Sequence, residues 1–177
     1  MSDTGQGTGT AWGDAAPREL HLAAGLAGAL VDEASVAGDE EVCGLLVGRR
    51  ETDQSRVART VACTNAAPEG RRQTRFEIDP RCLIEEERVA RGSGEEVVGF
   101  YHSHPAGDPI PSPVDRTYMG LWPGMVWVIV GARASAMRGR VRAWSFDPGR
   151  EVVPREVRIE SARGESGMAE RPITRDP

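Results

Sequence analysis

The chain of 177 residues contains no lysine; apart from three histidines, its basic side chains are all arginine. Together with abundant Ala, Gly, Val and Pro, this fits the codon bias of a GC-rich genome. Aromatic residues are sparse, at 5%. Positive charge is not in surplus either: the formal net charge of -5 argues against a nucleic-acid partner. The local group of Arg71, Arg72 and Arg75 reads as a solvated loop. No C-x-x-C pair occurs, so neither a zinc knuckle nor a dithiol redox motif is present. Cys43, Cys63 and Cys82 are an odd set, separated by 20 and 19 positions. They are expected as free buried thiols in a reducing compartment. Long apolar runs are missing too. The longest, Leu22 to Val31, is too short to span a bilayer, and the start of the chain has neither the basic residues nor the apolar run of a secretory leader. The expectation is a cytoplasmic protein with no membrane partner.

What is present is a globular composition, 39% hydrophobic and 28% charged, and enough length for one domain with its own core. Residues 1–17, rich in Gly, Thr and Ala, read as a flexible tail, and the polar, Pro-containing residues 161–177 read likewise. The folded domain is expected over 18–160. Leu22, Leu26, Leu30 and Val31 recur at helical spacing, which predicts a helix over Leu20 to Val36 stopped at Gly38. Apolar or alternating runs predict strands at Val42 to Val47, Arg56 to Cys63, Arg75 to Ile78, Glu96 to Ser103, Met125 to Ala132 and Arg138 to Phe146, with an edge strand at Val152 to Ile159. Asp79-Pro80 starts a helix that Gly92 would stop, and Ser112-Pro113 starts another. Strands outnumber helices and helices fall between strand groups. This predicts an α/β fold, a mixed β-sheet flanked by helices.

The segment from Tyr101 to Asp115, YHSHPAGDPIPSPVD, carries the chemistry. His102 and His104 are two apart on a predicted strand, so both imidazoles share a face at its end. Two neutral imidazoles on one face are good zinc ligands. His21 has no motif linking it to the pair, which makes a carboxylate the expected third ligand. Asp115, in the first turn of the next helix, is the candidate. Ser112 and Asp115 also make a good helix start without any metal, and a histidine pair alone can be purely structural. The intervening loop is stiffened by Pro105, Pro109, Pro111 and Pro113, and can hold Asp115 near the imidazoles. A zinc-bound water needs a base. Asp39, Glu40 and Glu41 are the upstream acids. Glu41 precedes the strand directly, although such an acidic run is also what a solvated turn looks like.

Glu41-Val42-Cys43-Gly44, His102-Ser103-His104-Pro105 and Ser112-Pro113-Val114-Asp115 together resemble the JAMM (MPN+) metalloprotease signature: E-x-C-G, then H-x-H, seven residues and S-x-x-D. The seven are Pro105 to Pro111, and the resemblance runs from about Leu20 to Phe146. It implies the MPN/JAMM fold, a cytidine-deaminase-like sandwich. It implies Zn²⁺ on His102, His104 and Asp115, Glu41 as general acid/base, and Ser112 steadying the zinc-bound water and developing oxyanion. Cys43 and Gly44 read as packing. The implied substrates are ubiquitin-like proteins and, for short single-domain bacterial-type members, sulfur carriers ending in Gly-Gly, cut just after that tail. On this reading the missing lysine could also reflect avoidance of self-modification; composition does not separate the two explanations. A catalytically inactive scaffold and a small-molecule metal hydrolase of the same fold are the alternatives. The sequence leaves the oligomeric state open, a homodimer included.

Overall fold

The computed structural model describes residues 17–131, 140–146 and 152–160. The tails expected at 1–17 and 161–177 lie outside these residues, except for Pro17. The strands with the longest apolar runs are the most buried. β2 (Cys43–Arg50) is buried from Cys43 through Gly48, β4 (Glu96–His104) from Val97 through Ser103, and β5 (Val126–Gly131) throughout. Such strands, without an exposed face, need cover on both sides.

β2 pairs antiparallel with β3 (Gln54–Cys63) and with β4. β4 pairs parallel with β5; β6 (Val141–Phe146) and β7 (Val152–Glu160) follow antiparallel. β7 then pairs parallel with β1 (Glu19–Ala23), which pairs parallel with β3. The sheet therefore closes on itself as a seven-strand mixed barrel in the order β1-β3-β2-β4-β5-β6-β7. This overturns the expected mixed sheet flanked by helices.

The reason lies in ELHLA. Leu22 fits the helical spacing of Leu26 and Leu30, but Leu20 and Leu22 are also two apart, and both are fully buried on one face of a strand. The helix α1 starts only at Ala24 and runs to Ala37, ending at Gly38 with φ +67°. The freed strand gives β7 a partner from Glu19↔Glu156 to Ala23↔Glu160, so the expected edge strand becomes half of the closing seam.

Two apolar clusters follow from the alternation along the strands. One takes Leu20, Leu22, Leu46, Val57, Val98, Tyr101, Val128 and Val141, with Val157 and Ile159 packed against it. All seven strands thus contribute, and Ala27, Leu30 and Val31 of α1 join them. The other holds Leu45, Val47, Phe100, Trp127 and Ile129 with Ala90 of α2 (Pro80–Ser93) and Met119 of α3 (Pro113–Leu121).

Two local expectations also change. Residues 75–78 form no strand, only an isolated bridge between Asn65 and Ile78. Cys63 and Cys82 are not free thiols but form a disulfide, because the end of β3 and the first turn of α2 bring their Cα atoms to 5.9 Å, within bridging range. Cys43 alone stays a buried thiol. α2 starts as expected, with Asp79 accepting from the Arg81 amide, but ends at Gly94 (φ +70°), past Gly92.

Candidate metal centre

The register of β2 on β4 explains how an acid far upstream reaches the histidine pair. Cys43 lies opposite His102, and Gly44 opposite Tyr101. One step further along, Val42 and Ser103 face each other: the Ser103 amide donates to the Val42 carbonyl and the Val42 amide to Ser103 Oγ, both at 3.0 Å. Glu41, one residue before Val42, then lies near enough to the histidine pair for the charge of His104 to act on its carboxyl. Gly44 is required because a Cβ there would overlap the Val61 carbonyl and the Tyr101 ring.

The proline-rich loop after β4 is held at three points. His104 Nδ1 lies 2.9 Å from the Asp108 carbonyl, and Trp144 Nε1 donates to the Pro109 carbonyl at 3.0 Å. Pro109 packs on Gly131 so closely that a Cβ there would come within 2.6 Å of its Cδ. The loop delivers Ser112 as the N-cap of α3 in a capping box. The Ser112 amide donates to Asp115 Oδ2 at 2.6 Å, and the Asp115 amide to Ser112 Oγ at 3.2 Å. The helix start proposed as the metal-free explanation of Ser112 and Asp115 is therefore present, and it also orients the Asp115 carboxylate.

That carboxylate meets both imidazoles. Asp115 Oδ1 is 3.3 Å from His102 Nε2, and Oδ2 is 3.2 Å from His104 Nε2. The two Nε2 atoms are 3.1 Å apart. A tetrahedral cation bound at about 2.0–2.1 Å sets its ligand atoms about 3.3–3.4 Å apart; the two Nε2 atoms stand near that spacing, each imidazole stands near it from one oxygen of the Asp115 carboxylate, and one donor atom from each of the three residues lies within 4.8 Å of the others. Proton chemistry supports the same fit. The Asp108 carbonyl can only accept, so His104 Nδ1 carries the ring hydrogen and Nε2 offers a bare lone pair in the neutral form. That lone pair points at a carboxylate oxygen and a second ring nitrogen, an arrangement that calls for a proton or a metal. His102, His104 and Asp115 can hold a metal ion, and no other such group occurs among the described residues.

His102 is fully buried and its Nδ1 has no hydrogen-bond partner among the described residues. Its ring is fixed by packing instead: Phe76 stacks on it with centroids 4.3 Å apart. Burial pushes the pKa of His102 down. Burial also acts downward on His104, but bonding to Asp115 and the Asp108 carbonyl and the charges of Asp115 and Glu41 raise it overall. Asp115 is held well below the usual carboxylate range, as hydrogen bonds from both imidazoles and Ser112 overcome its burial. Glu41 is 7% exposed. Burial first, partly opposed by His104 and reinforced by Asp115, raises its carboxyl to about 7. Cys43, raised to about 12 by burial and then by Glu33 and Glu41, stays a protonated packing residue.

All five predicted site residues thus fall at one end of β2 and β4. Spacing could not point to Phe76, Trp144 or Asn65, whose roles arise only where distant elements meet.

The family model describing prokaryotic homologs of the JAB domain matches residues 23–147. A desampylase of Haloferax volcanii is 36% identical over 139 residues, covering 75% of this chain and 93% of its own length. A desampylase of Pyrococcus furiosus is 31% identical over 120 residues, 68% of this chain and 76% of its own. The solution structure of a Desulfitobacterium hafniense protein matches with a TM-score of 0.70 at 24% identity, covering 80% of this chain and 93% of that one, a likeness of fold alone. The chain belongs to the JAB (JAMM/MPN) family, in its prokaryotic branch, and is a hydrolase of the JAMM type.

Proposed function

We propose that this hydrolase is a zinc-dependent peptidase or isopeptidase that cuts the bond after the C-terminal Gly-Gly of a ubiquitin-like or sulfur-carrier protein. The observation that carries the reading is the convergence of His102 Nε2, His104 Nε2 and the Asp115 carboxylate within 4.8 Å of one another, with the Glu41 carboxyl close enough to feel the charges of His104 and Asp115. Two imidazoles and one carboxylate are a donor set suited to Zn²⁺, and leave a coordination position open, as catalytic sites do. When bound, zinc supplies Lewis acidity, lowering the pKa of a water and polarising the scissile carbonyl.

The remaining work falls to the chain. Glu41 takes a proton from the attacking water and returns it to the leaving amine, a role suited to a carboxyl poised near neutrality. Ser112 Oγ already accepts from the Asp115 amide, so its hydroxyl hydrogen is free to donate to the oxyanion of the tetrahedral intermediate. Asp115 is oriented by the Ser112 amide, and His104 by the Asp108 carbonyl. The substrate class rests on the desampylase relatives, whose similarity spans most of this chain.

The test incubates the protein with ubiquitin-like fusions ending in Gly-Gly and compares wild type with Glu41→Gln, locating any cut by mass spectrometry. Cleavage after Gly-Gly by the wild type alone is expected. Equal cleavage by both would remove Glu41 from the mechanism, and cleavage elsewhere would remove the substrate class.

A further inference from the structure

We infer that Asn65 is a positioning residue for Glu41, acting from a frame closed by the Cys63–Cys82 disulfide; the inference rests on the role proposed for Glu41. Both main-chain polar groups of Glu41 are held by the segment between β3 and α2. Its amide donates to the Arg72 carbonyl at 2.7 Å. Its carbonyl accepts from Asn65 Nδ2 at 2.9 Å. On the other side, only the next residue, Val42, is tied to Ser103 between the two histidines. The acid is thus suspended between the histidine strand and this segment.

Asn65 is the hub of the segment. Its Nδ2 also donates to the Arg75 carbonyl at 3.1 Å. Its Oδ1 accepts from the amides of Ala67 at 3.0 Å and Glu77 at 3.1 Å. Two donors and two acceptors are the full capacity of an asparagine amide, and here every one is used. Around it, the Ala66 amide donates to the Glu77 carbonyl and the Asp79 amide to the Thr64 carbonyl, so the two limbs run side by side. The disulfide ties them at the neck, from the end of β3 to the first turn of α2. The same frame carries Phe76, the residue stacked on His102. A hub with this wiring does more than close a loop. It fixes the distance between the acid and the imidazoles, and small misplacements of catalytic groups are expensive in rate.

Asn65→Asp separates the two functions of the side chain. The carboxylate keeps both acceptor bonds, to Ala67 and Glu77, but places an oxygen against the carbonyls of Glu41 and Arg75. With zinc-loaded full-length protein and a Gly-Gly isopeptide conjugate, this variant is expected to lose kcat by roughly ten- to a hundredfold, with KM and zinc content close to wild type. The added negative charge near Glu41 should also move the acid limb of the kcat profile to higher pH. Asn65→Ala, which breaks all four bonds, should lose kcat at least as much. Introduced into Glu41→Gln, Asn65→Asp should lower the residual rate no further, because the group it positions is gone. Wild-type kcat in Asn65→Asp, a loss that follows zinc content or KM, or the same fold-loss in the Glu41→Gln background would each overturn the inference. Full activity of Glu41→Gln alone would instead sink the proposed role of Glu41.

Discussion

At the seam where β1, β3 and β7 meet, His21 is 6% exposed, with Nδ1 2.8 Å from Glu160 Oε1 and Nε2 3.6 Å from Glu19 Oε2. At the end of β4, His102 and His104 stand at similar distances from Asp115. Both groups set imidazole against carboxylate, but they differ in where positive charge comes from. At the seam, Arg56 lies 2.7 Å from Glu160 and Arg158 3.1 Å from Glu19, so each carboxylate already has a guanidinium. Among the described residues no arginine is paired with Asp115. Three residues there turn donor atoms toward one another, with no arginine among the described residues paired into the group. A histidine beside a carboxylate is therefore uninformative by itself. What distinguishes a metal centre from a structural ion pair is convergence of donors without a cationic side chain among them.

Asp115→Ala is expected to have the largest effect, reducing cleavage of a Gly-Gly conjugate to background. The equivalent loss at the seam, His21→Ala, should leave the rate unchanged. Next, Glu41→Gln should lower kcat by about a hundredfold or more while zinc content by elemental analysis stays at the wild-type level.

In the metal-free protein, the Glu41 carboxyl makes stability depend on pH. Glu41 is raised from 4.5 to about 7 in the folded state, so folding favours its protonated form. Stability from this group is full below about pH 4.5 and is lost as pH rises to about 7. At about 1.4 kcal/mol per pH unit, the ceiling is about 3 kcal/mol. Denaturant titrations of wild type and Glu41→Gln without metal should therefore show the wild type losing stability relative to the variant across that window; parallel curves would contradict the burial argument.

Smaller effects follow at the supports. Trp144→Phe removes the donor to the Pro109 carbonyl and frees the loop that carries Asp108, and should weaken zinc binding by about tenfold, measured by competition with a chelator. His21→Ala should cost about 1 kcal/mol of stability with no change in zinc affinity, since its neighbours retain their arginines.

The site was more legible in the sequence than the fold around it. A two-residue spacing on a strand fixes a shared face wherever the strand lies, so His102 and His104 could be paired from sequence. The S-x-x-D spacing likewise writes a capping box, and that same box aims Asp115. Glu41 needed the family resemblance, since an acid before a strand acquires meaning only through the register of β2 on β4. Barrel closure was hidden because Leu22, Leu26 and Leu30 carry helical spacing across the boundary at Ala24, masking β1 and with it the partner of β7. The disulfide was hidden for a related reason: a separation of 19 residues says nothing about proximity until β3 and α2 are placed. Asn65 carries no motif or periodicity of its own, and only the finished hydrogen-bond network gives it a role.

Whether the end of β4 holds the metal is decided by the zinc stoichiometry of metal-replete protein purified as wild type, Asp115→Ala and His21→Ala. One zinc per chain in the wild type and His21→Ala, with little or none in Asp115→Ala, is the result expected. An unchanged stoichiometry in Asp115→Ala, or a loss in His21→Ala, would mean that the metal is held somewhere other than the end of β4.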